Sequence, residues 1–169
     1  MKNIILTGFM GSGKSTVGRI VAKRLGYEFR DLDAVIMDEA GLSINDIFSR
    51  HGEAHFRSFE SRAVERIAAS TGLVVATGGG AVISPANRRL FRSSGIVINL
   101  TASMESILER LRDDSTRPLL QGHDREEKIS RLLKEREACY ADADIRIDTT
   151  DKKVEDVAAD ILAYLKGKL

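Results

Sequence analysis

Between Asn3 and Leu25 the chain runs from a short apolar stretch, through a glycine-rich loop, into a segment with helical spacing. This order constrains the fold more than any other feature. Asn3-Ile4-Ile5-Leu6-Thr7 is rich in β-formers and reads as a buried parallel strand. Gly8, Gly13, Lys14 and Ser15 fit G-x-x-x-x-G-K-[ST], the phosphate-cradling P-loop. Val17, Ile20, Val21 and Leu25 then follow at helical spacing, and Gly26 stops the helix. Glycines allow the backbone to bring its N–H groups against an anion, and the helix N-terminus adds positive potential. Lys14 is expected at the β- and γ-phosphates, and the Ser15 hydroxyl on Mg²⁺. The loop therefore specifies a nucleoside triphosphate and leaves the acceptor open.

The remaining chain alternates in the same way. Strands are expected at 27–31, 73–77, 96–100 and 145–148. Helices are expected between them, with Ser43, Pro85 and Ser103 as start signals. A helix from Ile44 to Arg50 is followed by a longer one from Gly52 to Ser70. Strands alternating with helices imply a parallel sheet covered on both faces, an α/β fold. At 169 residues this is one domain with a real core.

In such sheets ligands sit beyond the carboxyl ends of the strands. Three unusual stretches fall there: Gly8 to Ser15, Asp31 with Asp33, and Gly78-Gly79-Gly80. If the extended backbone persists past the second strand, Asp31 and Asp33 face the same side. One carboxylate then suits a metal and the other an acceptor hydroxyl, unless Asp33 merely caps the next helix. The glycine triad suits close approach of a substrate to backbone N–H groups, or simply a tight turn. The third strand ends on Thr77, where P-loop enzymes usually place an acid, so Asp31 is the candidate for that metal task. Arg57, Arg117 and Arg136 are candidates for anion recognition, because guanidinium groups pair with carboxylates and phosphates in bidentate fashion. Arg57 could also simply pair with Glu60 at helical spacing.

Composition narrows the partners. A formal net charge of +1 argues against a broad electrostatic interaction with nucleic acid or membrane. Aromatics make up 5% of the chain with no tryptophan, too few for a base-stacking platform. With no signal-type hydrophobic run after Met1 and a single cysteine, Cys139, a cytoplasmic location is expected. His51 and His55 stand four apart, but Glu53 is misplaced for H-E-x-x-H and no third ligand is apparent. There is no N-K-x-D stretch to read guanine. An aspartate and arginines suggest a small hydroxy acid as acceptor; gluconate or a nucleoside monophosphate also fits these residues.

Taken together in order, several pieces resemble shikimate kinases over nearly the full length. They are Gly8 to Thr16, Asp31-Leu32-Asp33, Phe56-Arg57-Ser58-Phe59-Glu60, Thr77 to Gly80, Arg117-Pro118-Leu119-Leu120, and the Arg136 helix ending at Tyr140. The resemblance implies a three-layer α/β/α P-loop fold with a five-stranded parallel sheet in the order 2-3-1-4-5. It implies a substrate-binding region at about 33–60 and a lid at about 112–124. The activity implied is ATP-dependent phosphorylation of the shikimate 3-hydroxyl on the route to chorismate and aromatic amino acids, by a monomer. Gly11, Ser12, Gly13, Lys14, Ser15 and Thr16 would hold ATP phosphates, and Ser15 with Asp31, through water, would hold Mg²⁺. Asp33 would bind the acceptor hydroxyl as candidate base. Arg57 and Arg136 would clamp the shikimate carboxylate, while Gly78, Gly79 and Gly80, chiefly Gly79, would meet its ring hydroxyls. Arg117 would reach the phosphates from the lid, and Arg110 would stack on adenine. Near Lys153 some members carry an arginine against adenine; lysine stacks less well.

Overall fold

The computed structural model describes residues 1–114, 120 and 122–169. Its five strands are β1 (Asn3–Thr7), β2 (Glu28–Asp31), β3 (Leu73–Ala76), β4 (Gly95–Thr101) and β5 (Ile145–Asp148). They form one parallel sheet in the order β2-β3-β1-β4-β5. The helices among the described residues are α1 (Lys14–Leu25), α2 (Leu32–Ala40), α3 (Ile44–Ala68), α4 (Pro85–Ser94), α5 (Met104–Arg110), α6 (Arg125–Tyr140) and α7 (Val154–Leu165).

Strand residues alternate between two cores. Ile4 and Leu6 of β1, Val74 of β3, and Ile96 and Ile98 of β4 pack with Val17 and Val21 of α1 and Val157 and Ile161 of α7. Ile5, Val75 and Val97 face the other way, against Ile36 of α2, Phe56 and Val64 of α3, Phe91 of α4 and Ile129 of α6. β1 lies between β3 and β4 and is buried along its whole length. A strand covered on both faces needs a continuous apolar run rather than alternation, which is what Ile4-Ile5-Leu6 supplies.

Ser43, Ser84 and Ser103 cap α3, α4 and α5, each accepting a hydrogen bond from a backbone N–H in the first turn. The expected break near Gly52 is a kink inside α3. Gly52 has φ 82° and ψ 172°, outside the helical region, and joins the two helical stretches anticipated on either side of it. Among the described residues no helix is long and apolar enough to cross a membrane.

Candidate active site

The P-loop follows β1 at its carboxyl end. Gly8, Gly11 and Gly13 have φ of 143°, 79° and 90°, conformations side chains resist. Gly8 also touches β4 so closely that a Cβ would stand 2.3 Å from the Leu100 carbonyl. Lys14 is buried, and its Nζ donates to the carbonyls of Gly8 at 2.8 Å and Phe9 at 2.9 Å. The ammonium thus lies folded along the loop, over the cavity the loop encloses. That cavity is lined by Gly11, Gly13, Lys14, Ser15 and Thr16 on one side, and by Asp31, Asp33, Thr77, Gly78 and Gly79 on the other. Ser12, within the loop, is buried and does not line this cavity.

Asp31 and Asp33 both reach this cavity, but not as the alternating pattern anticipates. The helix begins at Leu32, so Asp33 sits in the first turn of α2 rather than on an extended backbone. The cap is Asp31, not Asp33: its Oδ1 accepts from the Asp33 N–H at 3.0 Å. Its Oδ2 accepts from Ser15 Oγ at 2.6 Å. Two hard oxygen donors, one hydroxyl and one carboxylate, therefore stand together at the P-loop. This donor set suits Mg²⁺, which takes one or two protein ligands and completes its octahedron with phosphate oxygens and water. Among the described residues no group of three or more His, Cys, Asp or Glu side chains forms an alternative metal cluster, and His51 and His55 only pack ring against ring at 4.7 Å.

A second cavity, of about 430 Å³, adjoins the first. Met10, Asp33, Gly78 and Gly79 belong to both walls. The second cavity is further lined by Arg57, Gly80 and Arg136, with Ile44, Phe48 and Phe56 as an apolar side. Residues from α2, α3, the turn after β3 and α6 thus converge on one space.

The electrostatics of this cavity are unusual. Arg136 is 4% exposed, and its Nη1 has no hydrogen-bond partner. A buried, unpaired guanidinium N–H is destabilising by itself and marks a place for an anion. Arg57 Nη1 donates to Glu60 Oε1 at 2.9 Å, and Arg57 Nη2 pairs with Glu53 at 3.3 Å. The Arg57–Glu60 pairing open from spacing alone is present, yet Arg57 still lines the cavity. Glu60 is 1% exposed, and its Oε2 lacks a partner. Burial holds the Glu60 carboxyl above its ordinary value; Asp33 adds to the rise, while Arg57 and Arg136 oppose it.

The glycine triad owes its composition to space. None of Gly78, Gly79 and Gly80 has positive φ. A Cβ on Gly78 would stand 3.0 Å from Asp33 Oδ1, and one on Gly80 only 2.4 Å from Arg57 Nη2. The triad does sit in a tight turn, closed by the Ala81 N–H on the Gly78 carbonyl at 3.1 Å, and close contact with Asp33 and Arg57 is what excludes a side chain at Gly78 and Gly80.

Arg110 stands beside the P-loop, donating to the Gly11 carbonyl at 3.1 Å and the Thr149 carbonyl at 3.0 Å. Arg117 lies outside the described residues, as does the middle of the expected lid. On the lid's C-terminal side, Arg125 donates to the carbonyls of Arg112 and Asp114. Lys153 precedes α7 as its N-cap residue. Reading the residues one by one assigned nothing to Glu60 beyond a pairing with Arg57, and nothing to Tyr140 or the apolar wall of Ile44 and Phe48.

A parallel sheet with a P-loop, a Ser–Asp pair beside it and an adjoining anion-seeking cavity defines a phosphotransferase of the P-loop class. The chain matches the family model described as shikimate kinase over residues 10–166. It is 55% identical to the shikimate kinase of Geobacter metallireducens, covering 99% of this chain and 94% of that one. It is 46% identical to that of Caldanaerobacter subterraneus subsp. tengcongensis, covering 99% of each. The solved shikimate kinase of Acinetobacter baumannii in complex with shikimate superposes with a TM-score of 0.96 at 39% identity, covering 99% of this chain and 94% of that one. The chain belongs to the shikimate kinase family. Its activity is ATP-dependent phosphorylation of shikimate, and the gluconate alternative is not favoured.

Proposed function

We propose that the two adjoining cavities divide the reaction between them. The P-loop cavity takes ATP, and the cavity walled by Arg57, Gly79 and Arg136 takes shikimate. The observation that carries this reading is the shared wall. Asp33 lines both spaces, so a hydroxyl held there lies between the acceptor and the phosphates. The Acinetobacter baumannii relative, described as a complex with shikimate, supports the same acceptor.

Arg57 and Arg136 clamp the shikimate carboxylate, which would pair the orphaned Arg136 Nη1. Backbone N–H groups of Gly78, Gly79 and Gly80 meet ring hydroxyls at close range. The apolar side formed by Ile44, Phe48 and Phe56 covers the ring. Asp33 orients the 3-hydroxyl in line with the γ-phosphoryl group. The hydroxyl oxygen bonds to phosphorus, the bond to the bridging oxygen breaks, ADP departs, and the proton passes late to the Asp33 carboxylate. A carboxylate is a weak base, so its larger contribution is alignment.

Gly11 to Thr16 hold the phosphates, and Lys14 exchanges its loop carbonyl partners for phosphate oxygens, stabilising charge on the transferring group. Arg117 is assigned the same task from the lid. Ser15 directly and Asp31 through water would hold Mg²⁺, which would supply positive charge to offset that of the phosphates. Arg110 is engaged along its N–H edge, which leaves the plane of the group for adenine.

ADP release assayed with shikimate, gluconate and nucleoside monophosphates tests this reading. Turnover is expected with shikimate; silence with shikimate refutes it. Asp33→Asn is expected to lower kcat on the order of 100-fold or more while the KM for ATP changes less than about threefold. Near-normal turnover removes Asp33 from the mechanism.

A further inference from the structure

The loop after β3 is held from outside the acceptor cavity by its carbonyl groups. Asn87 Nδ2 donates to the Ala81 carbonyl at 3.0 Å. Arg88 Nη1 donates to the Val82 carbonyl at 2.6 Å and the Ile83 carbonyl at 3.1 Å. Tyr140, the last residue of α6, donates from Oη to the Gly79 carbonyl at 2.5 Å. None of these three side chains lines the acceptor cavity, whereas Gly79 and Gly80 do. Asn87 and Arg88 secure residues 81–83, and the Ala81 and Ile83 N–H groups donate to the Gly78 and Gly80 carbonyls at 3.1 Å, which leaves the Gly79 carbonyl to Tyr140.

The Arg136 guanidinium, one turn earlier on α6, stands beside the same peptide. A Cβ on Gly79 would lie 3.6 Å from Arg136 Nη1 and 3.7 Å from Tyr140 Oη, so all three groups meet at one point. The phenol is 3% exposed, and burial pushes it up to about 12, so it donates throughout the working pH range. The peptide bonds are trans, so the Gly80 N–H points opposite to the Gly79 carbonyl. Anchoring that carbonyl on Tyr140 therefore turns the Gly80 N–H away from the Tyr140 hydroxyl.

We propose that Tyr140 is a positioning residue for the acceptor: its hydroxyl holds the Gly79–Gly80 peptide in place beside the Arg136 guanidinium, and so sets shikimate affinity without touching shikimate. The proposal rests on the reading of the second cavity as the shikimate subsite. An isolated buried tyrosine would affect only stability. This one holds a candidate hydroxyl-binding backbone next to a candidate anion-binding group, so its loss should be read out selectively by the acceptor.

Tyr140→Phe keeps the ring and removes the hydroxyl. Its KM and Kd for shikimate are expected to rise on the order of 3- to 10-fold, the range of one hydrogen bond, with kcat and the KM for ATP within about twofold. Arg136→Ala, measured alongside, is expected to lose shikimate affinity more severely. An unchanged shikimate KM in Tyr140→Phe alone overturns the positioning role and leaves the cavity assignment standing. An unchanged KM in both variants overturns the cavity assignment and the proposal with it. Equal losses of ATP and shikimate affinity, tracking a lowered Tm, show a merely structural tyrosine and also overturn it. Residue-resolved hydrogen exchange on the unmutated protein needs no variant to fold. Saturating shikimate is expected to protect the Gly80 amide at least about tenfold, and unchanged protection overturns the proposal.

Discussion

Replacing Gly80 with alanine pushes a single methyl group into Arg57. The ideal Cβ would stand 2.4 Å from Nη2, 2.6 Å from Nη1 and 2.7 Å from Cζ, so all three nearest atoms belong to one guanidinium. Gly80 does not occupy the left-handed region, so the backbone itself accepts alanine. The collision must therefore be relieved by the side chain. Ordinary van der Waals contact begins at 3.4 Å, so the guanidinium has to move by about 1 Å. That displacement is enough to stretch the 2.9 Å bond between Arg57 and Glu60 out of hydrogen-bond range. It also misplaces half of the proposed carboxylate clamp, and a shift of about 1 Å in a positioning group is worth roughly 100-fold in rate. Shikimate kcat/KM is expected to fall between about 10- and 100-fold, mostly through KM, while Kd for ATP stays within about twofold. Calorimetric titration of each ligand, with steady-state kinetics in both substrates, makes the separation. A Gly80→Ala enzyme with shikimate KM within twofold of the parent refutes the close-approach account of the triad. Equal loss of ATP and shikimate binding refutes the assignment of Arg57 to the acceptor side.

Asp31→Asn isolates charge from structure, because asparagine caps a helix about as well as aspartate and can still accept from the Asp33 N–H. The Mg²⁺ concentration for half-maximal rate is expected to rise about 10-fold or more with little change in Tm; an unchanged Mg²⁺ dependence removes Asp31 from the metal site. Glu60 supplies a pH test. Its folded-state value is raised, chiefly by burial, so its contribution to stability is fully present below the unfolded carboxyl value of about 4.3 and is lost as pH rises through the folded value. In urea titrations, Glu60→Gln is therefore expected to gain stability relative to the parent as pH goes from 4 to 7; a flat or declining difference refutes the sign.

The two aspartates show where local reading succeeds and where it stops. Their place beside the P-loop followed from strand order, and both line the phosphate cavity. Their geometry did not follow, because the helix start at Leu32 is one residue earlier than an alternating pattern allows. A boundary of that kind is set by the packing of Leu32 and Ile36 into the core as much as by propensity. The glycine triad was legible as a constraint, and the turn it forms is local, but that Arg57 lies against Gly80 is decided only by the packing of α3.

By itself, the sequence determined the phosphate cradle and the parallel α/β class. Both depend on short-range order: strand, glycines, Lys-Ser and helix must follow one another within a few residues, and alternation leaves no room for hairpins. Only the tertiary structure decided which charges are desolvated. Glu60 and Arg136 are buried, with Glu60 Oε2 and Arg136 Nη1 left unpaired, while Tyr140 bonds the Gly79 carbonyl beside Arg136. Burial belongs to the packed whole. α3, α6 and the turn after β3 come from distant parts of the chain, and their charges acquire altered energetics only when folding removes the water between them.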